Sequence, residues 1–362
     1  MLPYLDLHTL NAPYEADIKQ ALLSVVDSGW YLFGRQVEAF EHEWADYTGA
    51  AHCVACANGL DALRLVLRAW IEMDRLHPGD GVIVPANTYI ASILAVSDNG
   101  LIPVPVEPDP DTYLIDPRGI QRAIDESPIP IRAILPVHLY GQQCDMHSIN
   151  AIALRYGLLV LQDGAQSHGI PVSGTVAWSF YPGKNLGALG DAGAVTSDDM
   201  GLIEVIRQLA FYGSERKYVH KYKGLNSRMD EMQAAVLRVK LPHLDADNQR
   251  RQQIARRYNA EIHHPQITLP AFVTIHHVYH IYPILCEHRD ELQRYLLDRG
   301  IQTQIHYPLA PHQQQAYREW RNLRLPITER IAAQELSLPC NPSMSDDDVD
   351  RVIEAVTEAP TP

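Results

Sequence analysis

Five cysteines in 362 residues are too few, and too odd in number, for a disulfide-built scaffold. They predict free thiols in a reducing compartment. Long apolar runs are also missing. None approaches the ~20 residues that cross a bilayer, and the opening Met1-Leu2-Pro3-Tyr4-Leu5-Asp6 lacks the basic-then-apolar pattern of a secretory leader. Positive charge is scarce: 30 Lys and Arg stand against 44 Asp and Glu, for a formal net charge of -14. That balance speaks against a general nucleic-acid binder or a membrane-surface protein. No internal repeat or low-complexity tract occurs. The expectation is a cytoplasmic protein whose 46% hydrophobic content supports a large core shared between a major and a minor domain.

Two segments carry a faint metal signal. Cys53-Val54-Ala55-Cys56 has CxxC spacing, but no second pair exists and the run looks like a strand entering a helix. His276-His277-Val278-Tyr279-His280 is rich in histidine, yet it reads as a strand of a second domain. No metal is expected at either.

What is present is an alternation of helical and strand patterns. Helices are predicted over 17–28, 36–47, 61–70, 90–99 and 146–156. Strands are predicted over 51–57, 81–85, 102–106, 131–137 and 158–161. Buried strands alternating with helices predict an α/β fold with a mostly parallel sheet, and ligands at its carboxyl-terminal strand ends. A long helix is expected from near Arg228, interrupted at Leu241-Pro242. After it the texture changes to strand 278–285, helix 290–299, strand 302–306 and helix 346–357. This gives a large domain, 1–245, and a smaller C-terminal α+β domain, 246–362.

The chemistry concentrates near Lys184. The run Ser179-Phe180-Tyr181-Pro182-Gly183-Lys184-Asn185-Leu186-Gly187 sets one amine among glycines and small residues. The apolar run Leu158 to Leu161 leads to Asp163. An amine in a glycine-lined pocket and a carboxylate at a strand end are what pyridoxal phosphate demands, as Schiff-base former and partner of the ring nitrogen. Asn58-Gly59-Leu60-Asp61 opens a helix, where backbone N–H groups favour phosphate; Asp61 is equally an ordinary cap. Ser179 offers a hydroxyl to the same phosphate. Gln166, in Asp163-Gly164-Ala165-Gln166-Ser167-His168, is a candidate for the ring hydroxyl, and Tyr89 for stacking on the ring or for plain core packing. Tyr212 to Lys223 forms a basic patch, either a solvated loop or a phosphate site. Arg228 suits a carboxylate clamp or a helix ion pair.

Together these residues resemble the DegT/DnrJ/EryC1/StrS family of pyridoxal phosphate-dependent nucleotide-sugar aminotransferases, with the aspartate aminotransferase-like (type I) fold. The likeness runs from Gly29-Trp30-Tyr31-Leu32-Phe33-Gly34 to Leu336-Ser337-Leu338-Pro339. It implies Lys184 as the lysine carrying the cofactor and moving the proton, with pyridoxamine phosphate as the intermediate form. It implies Asp163 at the ring nitrogen, Gln166 at the ring hydroxyl and Tyr89 on the ring. Gly59, Leu60 and Ser179 fall at phosphate contacts, and Asn226 at a contact supplied by the other subunit of a homodimer. Arg228 falls at the carboxylate of the donor, L-glutamate. Two departures stand out. Asn58-Gly59-Leu60-Asp61 replaces the frequent Gly-Thr-Asp and loses a hydroxyl, and Asp163-Gly164-Ala165 replaces Asp-Ala-Ala.

Within the family the stretches 86–92, 137–142 and 179–184 look most like enzymes that aminate C3 of dTDP-3-keto-6-deoxyhexoses for surface glycans. That likeness implies Tyr181 and His306 at the hexose, and Arg216, Lys217 and Lys221 at the pyrophosphate. Amination at C4 of a dTDP- or UDP-4-keto-6-deoxy sugar is the alternative. A dehydratase, in which histidine replaces the lysine, and a non-catalytic regulator are remote.

Overall fold

The computed structural model describes residues 1–271 and 276–360. Seven short strands make its central sheet: β1 His52–Cys56, β2 Gly81–Pro85, β3 Ile102–Val106, β4 Ile131–Ile134, β5 Leu159–Asp163, β6 Thr175–Ser179 and β7 Gly193–Ser197. They lie in the order β1-β7-β6-β5-β4-β2-β3. Strands β2 to β6 pair in parallel, whereas β7 runs antiparallel to both β6 and β1. The expected α/β fold with a mostly parallel sheet is what forms.

The strands are near-continuous apolar runs because helices cover the sheet, and the central ones have no face for polar residues. Val82, Ile83, Val84, Ile134 and Leu161 are fully buried against Leu65, Val66 and Ile93 of the helices Gly59–Glu72 and Ile90–Ser97. Because β7 reverses direction twice over, the carboxyl end of β1 shares one sheet edge with those of β5 and β6. Asn58, Asp163 and Ser179 therefore converge there, 105 or more residues apart for the first pair.

A second sheet, antiparallel throughout, contains β10 Ile267–Thr268, β11 Tyr282–Cys286 and β12 Glu335–Leu338. Between the sheets in sequence lies a small hairpin, β8 Ser214–Arg216 with β9 Val219–His220. The helix Asp346–Thr357 packs Val349, Val352 and Val356 on Tyr258, Tyr282 and Leu336, and Leu2 joins this cluster, pairing with Ile301.

Several expectations need correction. The helix expected from Arg228 starts at Glu231, because Asn226 and Asp230 are drawn into extended bridges with Phe211 and Leu32. Pro242 interrupts it as expected: a 3-10 turn, Leu241–His243, separates Glu231–Lys240 from Leu244–Glu261. The strand expected from Val278 starts at Tyr282. Before it, Val278 and Ile281 donate to the carbonyls of Gly141 and Tyr140 rather than to a sheet. In the segment 302–306 only Gln304 pairs, with Ser337. His277, expected in a strand, stacks on Tyr279 and bridges singly to Gln142. Cys53 and Cys56 are buried residues of β1, as read.

One carboxylate joins distant elements. Glu231, 3% exposed, accepts hydrogen bonds from the N–H groups of Gly34 (2.9 Å), Gln36 (2.8 Å) and Val37 (3.0 Å). It thus caps the helix Arg35–Thr48 with a charge suited to a helix N-terminus. Gly34 is required, since a Cβ there would stand 2.6 Å from Glu231 Oε2. Glu231→Ala strands three donors and should cost about 2–3 kcal/mol in denaturant unfolding. Glu231→Gln should cost less, and a loss below ~1 kcal/mol in the alanine protein would show that the cap is dispensable.

Candidate active site

A cavity of about 720 Å³ opens at the sheet edge where Asn58, Asp163 and Ser179 meet. Its floor begins at the helix Gly59–Glu72. Asn58 caps that helix by accepting the Asp61 N–H at 2.9 Å, which leaves the first-turn N–H groups of Gly59 and Leu60 at the cavity. An anion is favoured there by aligned peptide dipoles and unpaired donors. Gly59 has no room for a side chain: a Cβ would sit 2.5 Å from Ser179 Cβ. The absent side chain lets the end of β6 close on the helix and sets the Ser179 hydroxyl beside those donors.

Lys184 lies in the loop after β6, its N–H donating to Tyr181 O at 2.8 Å. Buried Lys240 donates to Gly187 O at 2.7 Å, and Gln233 accepts from Leu189 N at 2.9 Å, so the helix Glu231–Lys240 braces the far limb of the loop. Lys184 is half-buried by area because it faces the cavity, yet the protein crowds its amine. That crowding pulls its pKa down to about 8, with Asp163 opposing. Asp163 is buried at the end of β5. Burial pushes its carboxyl up, opposed by the Ala165 N–H, the Ser92 hydroxyl and Lys184. Ser92 donates to Oδ2 at 2.8 Å and Ala165 N to Oδ1 at 3.1 Å, which fixes the carboxylate's plane.

Around this pair the wall is aromatic and polar. Gln166 accepts from the Tyr140 N–H and donates to the Tyr307 hydroxyl at 3.2 Å. Tyr89 packs its ring 5.2 Å from that of Tyr307 while 54% of it stays exposed. Tyr181 is equally exposed at the mouth. His306 reaches the cavity from the C-terminal part, with Nδ1 2.7 Å from Ser337 Oγ; burial, reinforced by Lys184, lowers its pKa to about 4.

Of the residues picked from sequence, Gly59, Leu60, Tyr89, Asp163, Gln166, Ser179, Tyr181, Lys184 and His306 surround this one cavity. Asn226, Arg216, Lys217, Lys221 and Arg228 do not line it. Arg228 lays its guanidinium over the rings of Phe33, Phe211 and Tyr212, 5.6 to 5.8 Å away. Sequence reasoning passed over Ser92, Tyr307, His280 and Arg251, which also line the cavity. Ser92 stands three positions after Tyr89, a helical spacing that carries a signal. Arg251 sits in a charged helix beside Arg250, Arg256 and Arg257, and nothing local marks it.

A helix N-terminus with an adjacent hydroxyl, a poorly solvated amine and a buried carboxylate around a ring-sized cavity fit pyridoxal phosphate in each chemical part.

Comparison with known proteins agrees. The model of the DegT/DnrJ/EryC1/StrS aminotransferase family matches residues 13–357. An Aneurinibacillus thermoaerophilus protein, dTDP-3-amino-3,6-dideoxy-alpha-D-galactopyranose transaminase, is 49% identical over 98% of this chain and 99% of its own. The crystal structure of S. venezuelae DesV in complex with a ketimine intermediate has TM-score 0.94 at 44% identity, covering 99% of this chain and 98% of that one. The structure of ntda from Bacillus subtilis with bound cofactor PMP has TM-score 0.91 at 33% identity, covering 98% and 84%.

Proposed function

The chain belongs to the DegT/DnrJ/EryC1/StrS aminotransferase family, and from that membership we propose that it moves an amino group from L-glutamate to C3 of a dTDP-3-keto-6-deoxyhexose. The product is a dTDP-3-amino-3,6-dideoxyhexose. The observation that carries this reading is the crowded Lys184 amine facing buried Asp163 in a cavity whose far side reaches Tyr181 and His306. The 49% identity to a 3-amino-sugar transaminase supports the position of amination.

Pyridoxal 5'-phosphate, attached at Lys184, would supply an electron sink for the donor's and the sugar's carbon. The protein's part is positioning and proton transfer. The N–H groups of Gly59 and Leu60 and the Ser179 hydroxyl would hold the phosphate. Asp163, its carboxylate fixed by Ser92 and Ala165, would pair with a protonated ring nitrogen. Gln166 would meet the ring hydroxyl, and Tyr89 would cover the ring. Lys184 Nζ, with its pKa near 8, takes and returns the proton at close to operating pH. Tyr181 and His306 face the hexose.

The active unit is a homodimer. Trp30, Tyr31, Phe33 and Tyr212 expose large aromatic surface around Arg228, a patch suited to a second copy. Across it, Asn226 would reach the partner's phosphate, Arg228 the glutamate carboxylate, and Arg216, Lys217 and Lys221 the pyrophosphate. Nucleotide-sugar substrates and five unpaired, buried cysteines suit the cytoplasm, with the amino sugar passing to a surface glycan.

The test follows the cofactor's visible absorption. L-glutamate should bleach it, and after removal of glutamate only the dTDP-3-keto sugar should restore it. Recovery with dTDP-4-keto-6-deoxyglucose alone would overturn the position of amination, and absence of bleaching would overturn the donor.

A further inference from the structure

His280 stands on the cavity wall with its ring tied from behind. Its Nδ1 lies 3.0 Å from Oδ1 of Asn185, the residue after Lys184. The Asn185 amide has no freedom to turn. Its Nδ2 lies 2.8 Å from Asn248 Oδ1 and 3.1 Å from the Val278 carbonyl. Asn248, in turn, donates through Nδ2 to the His168 carbonyl at 2.8 Å.

Main-chain carbonyls only accept, so the polarity of the whole chain of bonds follows. The His168 carbonyl demands the nitrogen of Asn248, which turns the Asn248 oxygen toward Asn185. That oxygen and the Val278 carbonyl both demand the nitrogen of Asn185, which turns the Asn185 oxygen toward His280. An amide oxygen cannot donate, so the shared proton sits on His280 Nδ1. The neutral ring then carries a bare lone pair on Nε2.

That nitrogen has no partner among the described residues and is not sealed from solvent, unlike both ring nitrogens of His168. Burial holds the ring well below the usual histidine range, and Lys184, Arg251, His306 and His168 add to the effect. His280 therefore meets a ligand only as an acceptor.

We infer that His280 Nε2 accepts a hydrogen bond from a hydroxyl of the sugar and is a specificity-determining residue for the amino acceptor. The inference rests on the sugar-aminotransferase reading. L-glutamate offers carboxylates, which are acceptors, and an amino group consumed in the transfer. The sugar is the substrate that brings free hydroxyls. A fixed acceptor welcomes a hydroxyl and disfavours a carboxylate or phosphate oxygen, so it sorts the two substrates of a site that must take each in turn.

Two variants separate this role from a structural one. His280→Asn places an amide nitrogen where Nδ1 stands, keeps the bond to Asn185 and removes the cavity acceptor. His280→Gln places an amide oxygen near the position of Nε2. The glutamate and sugar half-reactions are read separately by rapid mixing on the cofactor's absorption. Binding of dTDP-3-amino-3,6-dideoxyhexose is read by calorimetry, and melting temperatures check the fold. His280→Asn should raise KM for the keto-sugar and Kd for the product by about five- to tenfold, the worth of one hydrogen bond. The glutamate half-reaction should stay within about twofold of the parent, and His280→Gln should recover most of the loss. Unchanged sugar binding in His280→Asn, or equal slowing of both half-reactions, would overturn the assignment. A parent protein that reacts with glutamate but with no keto-sugar would instead overturn the reading beneath it.

Discussion

A Lys184→Ala protein should fold and turn nothing over. General acid–base transfer by a positioned amine is worth about 10²–10⁴-fold, and in the proposed function the same amine also attaches the cofactor, so the loss should reach the upper end or beyond. The fold survives because no hydrogen bond among the described residues depends on the Lys184 side chain, while its backbone N–H stays on Tyr181 O. Stability should even rise in cofactor-free protein. The folded chain holds the Lys184 pKa near 8 against an ordinary 10.5, so the unfolded chain binds that proton more tightly. The penalty is full below pH 8 and fades as pH rises from 8 to 10.5. Melting temperatures of the parent and the alanine variant, taken across that range, should converge toward high pH. Measurable amino transfer by the variant would remove the basis of the whole assignment.

Asp163→Asn should lower kcat by on the order of 10²–10³-fold, the usual loss when a preorganised charge at a reacting centre is removed. The substitution keeps the shape. An asparagine oxygen can still accept from the Ala165 N–H, and its nitrogen can donate to Ser92 Oγ, so the neighbours stay satisfied. What goes is the negative charge that, in the proposed function, would pair with a protonated cofactor ring nitrogen. The same charge props up the Lys184 pKa, so the alkaline change assigned to Lys184 should move to lower pH in the variant. Steady-state kinetics over pH reads both effects. Near-parental turnover would mean that another group balances the ring nitrogen.

The site was legible where chemistry and local structure coincide. Lys184 among small residues, Asp163 after an apolar run and Gly59 before a helix each announce themselves within ten residues. Elements with strong periodicity were legible too: β2, β3 and the helices Met146–Tyr156 and Asp346–Thr357 lie where the pattern places them. Strands β6 and β7 were not. Thr175–Ser179 and Gly193–Ser197 are short, and the second mixes glycine and alanine into a run with little strand preference of its own. They are strands because the sheet between β1 and β5 requires them. His280 and Arg251 were missed for a related reason, since only the folded chain brings them to a cavity lined mainly by residues before 200.

The Glu231 cap also sets a clock on synthesis. The helix Arg35–Thr48 is made before its cap, because the carboxylate that closes its first turn lies 197 residues beyond Gly34. At about 5–20 residues per second the nascent chain waits roughly 10–40 s for that partner. Through that interval Phe40 and Trp44 have no finished surface to bury against. The helix therefore locks only when the strands of the central sheet have all been made.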